Sequence, residues 1–135
     1  MTENRQESSA DATPRVDGFL LSQDLMFVSK VTGTAAALGL RIEVIGSIDH
    51  LASRSAATAP RAVFVDLNSP QFDPHAVMAH WSNSPRPIVI AFGSHVDTAR
   101  LDLALNAGCD EVLPRSRFSS TLPELLRRTL MTGNS

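Results

Sequence analysis

The chain has 135 residues, 43% of them hydrophobic and 19% charged, with 12 basic and 14 acidic side chains and a formal net charge of -2. That length and composition predict one domain with a sizeable core and exclude a chain that is disordered throughout. The charge balance offers no phosphate-binding surface, so no nucleic-acid partner is expected. Cys109 is the only cysteine, which excludes an intrachain disulfide and a cysteine-based metal cluster. No stretch approaches the roughly 20 apolar residues of a membrane helix, and no signal-peptide core is present, so a cytoplasmic protein without a membrane partner is the expectation.

Residues 1–16 are almost wholly polar and predict a disordered N-terminal tail. The folded region is expected over 17–131, with 132–135 as a C-terminal tail. Gly18-Phe-Leu-Leu21 predicts the first strand. Ser22 is placed to cap the following helix, in which Leu25, Val28, Val31, Ala35 and Leu38 recur at three- and four-residue steps. Gly39 ends it, since glycine takes the left-handed conformation without penalty. Arg41-Ile-Glu-Val-Ile45 alternates and is rich in branched residues, as a strand requires. Ser47 then caps an Ala- and Ser-rich helix running to about Thr58. Val63, Phe64 and Val65 form an apolar run suited to a strand buried on both faces, and the run ends in Asp66.

Asp73 is expected to cap a short helix to Trp81, with Pro74 at its first position and Phe72 and Trp81 in the core. Ile88-Val-Ile-Ala-Phe92 predicts a fully buried fourth strand, and Gly93-Ser94-His95 a loop. Asp97 to Ala107 predicts a helix with Leu101, Ala104 and Leu105 on its inner stripe, stopped by Gly108. Asp110-Glu-Val-Leu113 is the fifth strand and Arg115 to Ser120 a loop. Thr121-Leu-Pro-Glu124 has the spacing of a capping box, opening a last helix with Leu125, Leu126 and Leu130 facing inward.

Five βα units with short connections predict an α/β fold, a doubly wound five-stranded parallel sheet with helices on both faces. In such sheets chemistry collects just beyond the carboxyl ends of the strands, and chain order places Asp66 there. Neither G-x-G-x-x-G nor G-x-x-x-x-G-K-[ST] occurs, so those nucleotide-binding devices are not supported. His75, His80 and His95 contain no H-x-x-x-H pair and are read as surface residues, not metal ligands. Cys109 follows the helix-stopping Gly108 and is read as a packing residue.

A resemblance emerges from two strings. Asp66-Leu-Asn-Ser-Pro70, at the end of strand three, is similar to the D-L-x-x-P pattern of response-regulator receiver domains of the CheY kind. Ala107-Gly-Cys-Asp-Glu-Val-Leu-Pro114 resembles that family's A-G-A-x-x-x-L-x-K-P segment. The resemblance spans about Gly18 to Met131 and implies strand order 2-1-3-4-5, with Asp66 as the equivalent of the phosphoryl acceptor. It also implies a bacterial two-component context, with a signalling partner such as a histidine kinase or an output protein.

The departures from the family bear on chemistry. The acidic pair that holds magnesium after strand one falls on Ser22 and Gln23, leaving only Asp24 acidic. The Thr or Ser that ends strand four falls on Phe92, followed by Gly93; a slip of two residues brings Ser94 there instead. The Lys after strand five falls on Arg115. Mg²⁺ prefers near-octahedral oxygen ligands, usually including carboxylates; Asp66, at best Asp24, and the backbone carbonyl of Asn68 are what remain, so Mg²⁺ is expected to bind weakly or not at all and no cofactor is expected. The family's catalytic set is mostly dismantled on an intact frame, and an enzyme is not expected.

Three readings stay open on the sequence. The first is a degenerate receiver, or pseudo-receiver, that acts as a stand-alone protein-interaction module. The second is a working receiver phosphorylated on Asp66 by a histidine kinase, and the third a flavodoxin-like domain binding a small ligand in the same crevice. Asp66 also has a local reading, as a cap of its own loop, and Arg115 beside it as an ion pair worth ~1 kcal/mol or less if exposed. Arg100, Leu101 and Val112 are the expected contact surface by analogy with the family.

Overall fold

A computed structural model describes residues 15–82 and 85–131. The expected tails fall almost wholly outside the described residues, as residues 1–14 and 132–135. Five strands pair in parallel in the order β2-β1-β3-β4-β5, as expected. They are β1 (Gly18–Leu21), β2 (Ile42–Ile45), β3 (Ala62–Asp66), β4 (Ile88–Gly93) and β5 (Glu111–Pro114). The helices are α1 (Leu25–Ala37), α2 (Ile48–Ala57), α3 (Pro74–Ala79), α4 (Thr98–Ala107), α5 (Arg115–Ser120) and α6 (Leu122–Leu126), the last continued by a π turn over Arg127–Met131.

Alternation along the strands divides the core into two layers. On one face, Phe19, Leu21, Val63, Val65, Val89 and Ala91 pack with Leu51 of α2, Val77 of α3 and Ala104 of α4. On the other, Leu20, Phe64, Ile90 and Phe92 pack with Phe27, Val31 and Ala35 of α1, Phe118 of α5 and Leu122, Leu125 and Leu126 of α6. β3 is buried along its whole length, because it lies mid-sheet with helices over both faces. Phe72 joins the first layer and Trp81 packs against it half-buried. Ile88, at the start of β4, is 40% exposed, so that strand is fully buried only from Val89 onward.

Several local expectations change. Asp24, not Ser22, caps α1: its Oδ1 accepts from the Met26 and Phe27 backbone N–H groups at 3.1 and 3.2 Å. The helix therefore starts two residues later than Ser22 would start it, and Leu25 points to solvent at 81% exposure while Phe27 is buried. Leu105 on α4 is likewise outward-facing, whereas Ala104 is buried. Residues 115–120 form a helix, not a loop, anchored by Phe118, which is fully buried. No capping box forms after it. The Thr121 hydroxyl instead donates to the Arg117 carbonyl at 2.8 Å, because the chain arrives at Thr121 already helical. Gly39 and Gly108 do terminate helices at positive φ, 77° and 99°.

Candidate functional site

Strand register assembles the site. Leu21 pairs with Val65, so Ser22 emerges beside Asp66; Asp66 pairs with Phe92, and Gly93 with Pro114, so Arg115 emerges on the other side. Parallel pairing thus places residues from three distant parts of the chain at one end of the sheet.

Asp66 is fully buried. Its Oδ2 accepts from the Ser22 hydroxyl at 2.7 Å, and its Oδ1 from the Asn68 backbone N–H at 2.9 Å. The Asn68 contact is the local cap foreseen for this residue. Arg115 Nη2 donates to both carboxylate oxygens, at 3.0 and 3.1 Å. A carboxylate offers about four acceptor sites, and here they are taken up by the protein itself. The pair is far from an exposed one: the Asp66 side chain is 1% exposed and that of Arg115 26%.

The guanidinium is held from beneath. Its central carbon lies 4.5 Å from the Phe27 ring centroid and 5.7 Å from that of Phe92, distances at which a cation is attracted to an aromatic face. Phe92 stacks on Phe118 at 4.1 Å and tilts against Phe27 at 4.8 Å. Arg115 Nε is buried with no hydrogen-bond partner among the described residues, as expected of a group laid over rings. Arg115 Nη1 points toward Asp24 Oδ2 at 3.5 Å, so the guanidinium lies between Asp24 and Asp66.

Of the residues singled out from sequence, Ser22, Asp24, Asn68, Phe92 and Arg115 converge on Asp66, Asn68 through its backbone. Gln23 contributes only its backbone N–H, donated to the Ser69 hydroxyl at 3.1 Å, and its side chain is exposed. Gly93 is a packing position: a Cβ there would meet Leu67 Cβ at 3.2 Å. Ser94 is not the residue opposite Asp66, since the register puts Phe92 there.

Phe27, Ser69 and Phe118 belong to the site although no sequence motif singles them out as site residues. Spacing by four through Phe27, Val31 and Ala35 was a signal for the first; nothing marked the other two. The residues of the expected contact surface lie at the edge of the core, with Arg100 exposed. Leu101 and Val112 are half-buried against the core, and Arg100 is tied down, donating to the Leu67 carbonyl at 2.7 Å and facing Asp97 at 3.1 Å.

Cys109 is buried, and desolvation together with the Asp110 charge pushes its thiol up to about 11. Among the described residues, no group of three or more His, Cys, Asp or Glu side chains is placed to share a metal ion. No described helix is long and apolar enough to cross a membrane.

The fold, though not the site, has counterparts among solved structures. No family model matches the sequence, and no curated protein matches it. Solved structures do. A signal receiver domain from Bermanella marisrubri is similar at TM-score 0.69 and 18% identity, over 86% of this chain and 98% of the other. A two-component response regulator from Clostridium difficile is similar at 0.73 and 15%, over 90% and 100%. The chain has the receiver-domain fold. A third structure with this fold, the receiver domain of a sensor histidine kinase from Pseudomonas aeruginosa PAO1, carries a magnesium ion coordinated in its active-site cleft; it aligns at TM-score 0.72 and 16% identity, over 88% of this chain and all of that one.

The corresponding cleft here does not fit such an ion. The Asp66 oxygens are occupied by Ser22, Asn68 and Arg115. Asp24 Oδ1 is used in capping α1. Ser22 donates to Asp66 while its oxygen accepts from the Asp24 N–H at 3.2 Å. A hard dication needs several free oxygen ligands, and what faces the cleft is a fixed guanidinium of the same sign.

Proposed function

We propose that this chain is a receiver-fold signalling module of bacterial two-component type that works by protein–protein interaction, without phosphoryl transfer through Asp66. The observation that carries the reading is the state of Asp66: 1% exposed at its side chain and hydrogen-bonded on both oxygens by Arg115 and its neighbours. An acceptor carboxylate must present a free oxygen in line with the incoming phosphoryl group, and catalysis of that transfer consists mainly of positioning and charge neutralisation by a metal. Both requirements conflict with the geometry around Asp66. The partner belongs to the chemistry of this fold, a histidine kinase or an output protein, and no catalytic role is assigned to the chain.

The test is incubation with acetyl phosphate and Mg²⁺, and separately with a phosphorylated histidine kinase, read by intact-protein mass. No mass increase at Asp66 is expected. A stable phosphoryl adduct there that changed partner affinity tenfold or more would replace this reading with that of a working receiver.

A further inference from the structure

We infer that Arg115 is a resident cation: its guanidinium joins Asp66 to Asp24 in place of a divalent ion, and makes this end of the sheet independent of metal. The inference concerns which ion neutralises the cleft, and it stands apart from whether a partner binds.

Two carboxylates from different segments converge here, and each presents an oxygen to the same group. Arg115 Nη2 reaches Asp66 at 3.0 and 3.1 Å, and Nη1 faces Asp24 Oδ2 at 3.5 Å. The other Asp24 oxygen caps α1, so this one cation links the carboxyl end of β3 to the start of α1. Ser22 closes the link from the opposite side, donating to Asp66 and accepting from the Asp24 N–H. Gln23 N–H completes it by donating to the Ser69 hydroxyl.

The position of the guanidinium is enforced. It rests on Phe27 and Phe92, which are themselves fixed by Phe118. An arginine is needed to do this: the planar group can lie on rings while donating from two nitrogens, whereas a lysine ammonium is a compact point charge. Phe92 and Arg115, two substitutions relative to the receiver pattern, are therefore one device. The ring at the end of β4 is the seat of the cation after β5.

The inference predicts that the Arg115 guanidinium is what keeps the Asp66 oxygens and Asp24 Oδ2 from a divalent ion. With the guanidinium removed, Asp66, Asp24 and Ser22 are left as oxygen donors around the vacated space. The experiment is a Mn²⁺ titration of wild type, Arg115→Ala, Arg115→Met and Arg115→Ala/Asp24→Asn, read by paramagnetic broadening of the Ser22 and Asn68 amide signals and by melting temperature with Mn²⁺ or EDTA. Wild type is expected to show neither selective broadening nor a melting shift. Arg115→Ala should melt lower, broaden at both amides, bind Mn²⁺ at least tenfold more tightly than wild type, and lose that gain in the double variant.

Arg115→Met keeps an apolar stem over Phe27 and carries the same comparison if Arg115→Ala does not fold. If neither folds without metal, recovery on refolding with Mn²⁺ supports the inference and failure to recover overturns it. Selective broadening in wild type overturns it, as does a folded Arg115 variant that takes up no Mn²⁺. None of these readouts involves a phosphoryl donor or a partner, so their outcome is separable from that of the phosphorylation test.

Discussion

Arg115 Nη2 donates to both oxygens of Asp66, 49 residues away in the chain, at 3.0 and 3.1 Å. One partner is sealed in the core and the other half-buried at its edge. Removing the cation leaves a buried carboxylate with only the Ser22 and Asn68 donors. Loss of one partner of a buried pair costs roughly 3–5 kcal/mol; partial exposure of Arg115 reduces that to about 2–3 kcal/mol by solvent screening. Arg115→Ala should therefore lower the urea midpoint by that equivalent. Asp66→Asn should cost less, because the guanidinium it strands has access to water.

The Ser22 hydroxyl is a smaller contributor with a cleaner signature. It is buried and donates to a charged acceptor at 2.7 Å. Hydrogen bonds to charged groups contribute about 1.5–3 kcal/mol, so Ser22→Ala should destabilise by that amount in chemical denaturation. A change within experimental error of zero would mean that water replaces the hydroxyl.

Phe118 tests whether residues 115–120 are held by burial. The segment is short, and its only fully buried side chain stacks on Phe92 and edges against Phe64. Phe→Ala in a core costs about 3–5 kcal/mol. Phe118→Ala should lose that much stability, and hydrogen exchange of the 115–120 amides should accelerate more than that of β3.

Acid stability should depend on Asp110. Hydrogen bonds from Arg86, with the Val89 N–H and the Arg86 charge adding to them, hold its carboxyl below the usual range against an opposing effect of burial. A carboxyl depressed in the folded state contributes stability that is present above its unfolded pKa of about 3.9 and is lost as pH falls through the folded value. The difference in unfolding free energy between wild type and Asp110→Asn should thus be constant from pH 7 to about 5 and shrink below about pH 4.

Cys109 should resist alkylation in the native protein. Burial raises its thiol to about 11, and the thiolate is the reactive form. Iodoacetamide at pH 8 should modify it only as fast as the protein opens, and rapidly in urea. Fast native labelling would contradict the burial.

The sequence by itself determined the strands, their parallel arrangement, the helix stops at Gly39 and Gly108, and the place of Asp66 at a strand end. Each is written in local pattern: apolar runs for buried strands, glycine where φ must be positive, a carboxylate directly after Val65. Arg115 as a counter-charge to Asp66 was an expectation of the sequence; the burial of Asp66, the Ser22 donor and the rings beneath the guanidinium were decided by the tertiary structure. Ser22 and Arg115 meet Asp66 only because β1 and β4 flank β3 and β5 flanks β4, whereas Asn68 reaches it from two residues along the chain. The tertiary structure also decided which helix faces are inside. Asp24 and Ser22 are both competent caps, and the choice between them rotates α1 so that Phe27, not Leu25, joins the core. For residues 115–120 no periodicity exists to read; a short helix has little stability of its own and forms there because Phe118 finds Phe92 and Phe64 to pack against.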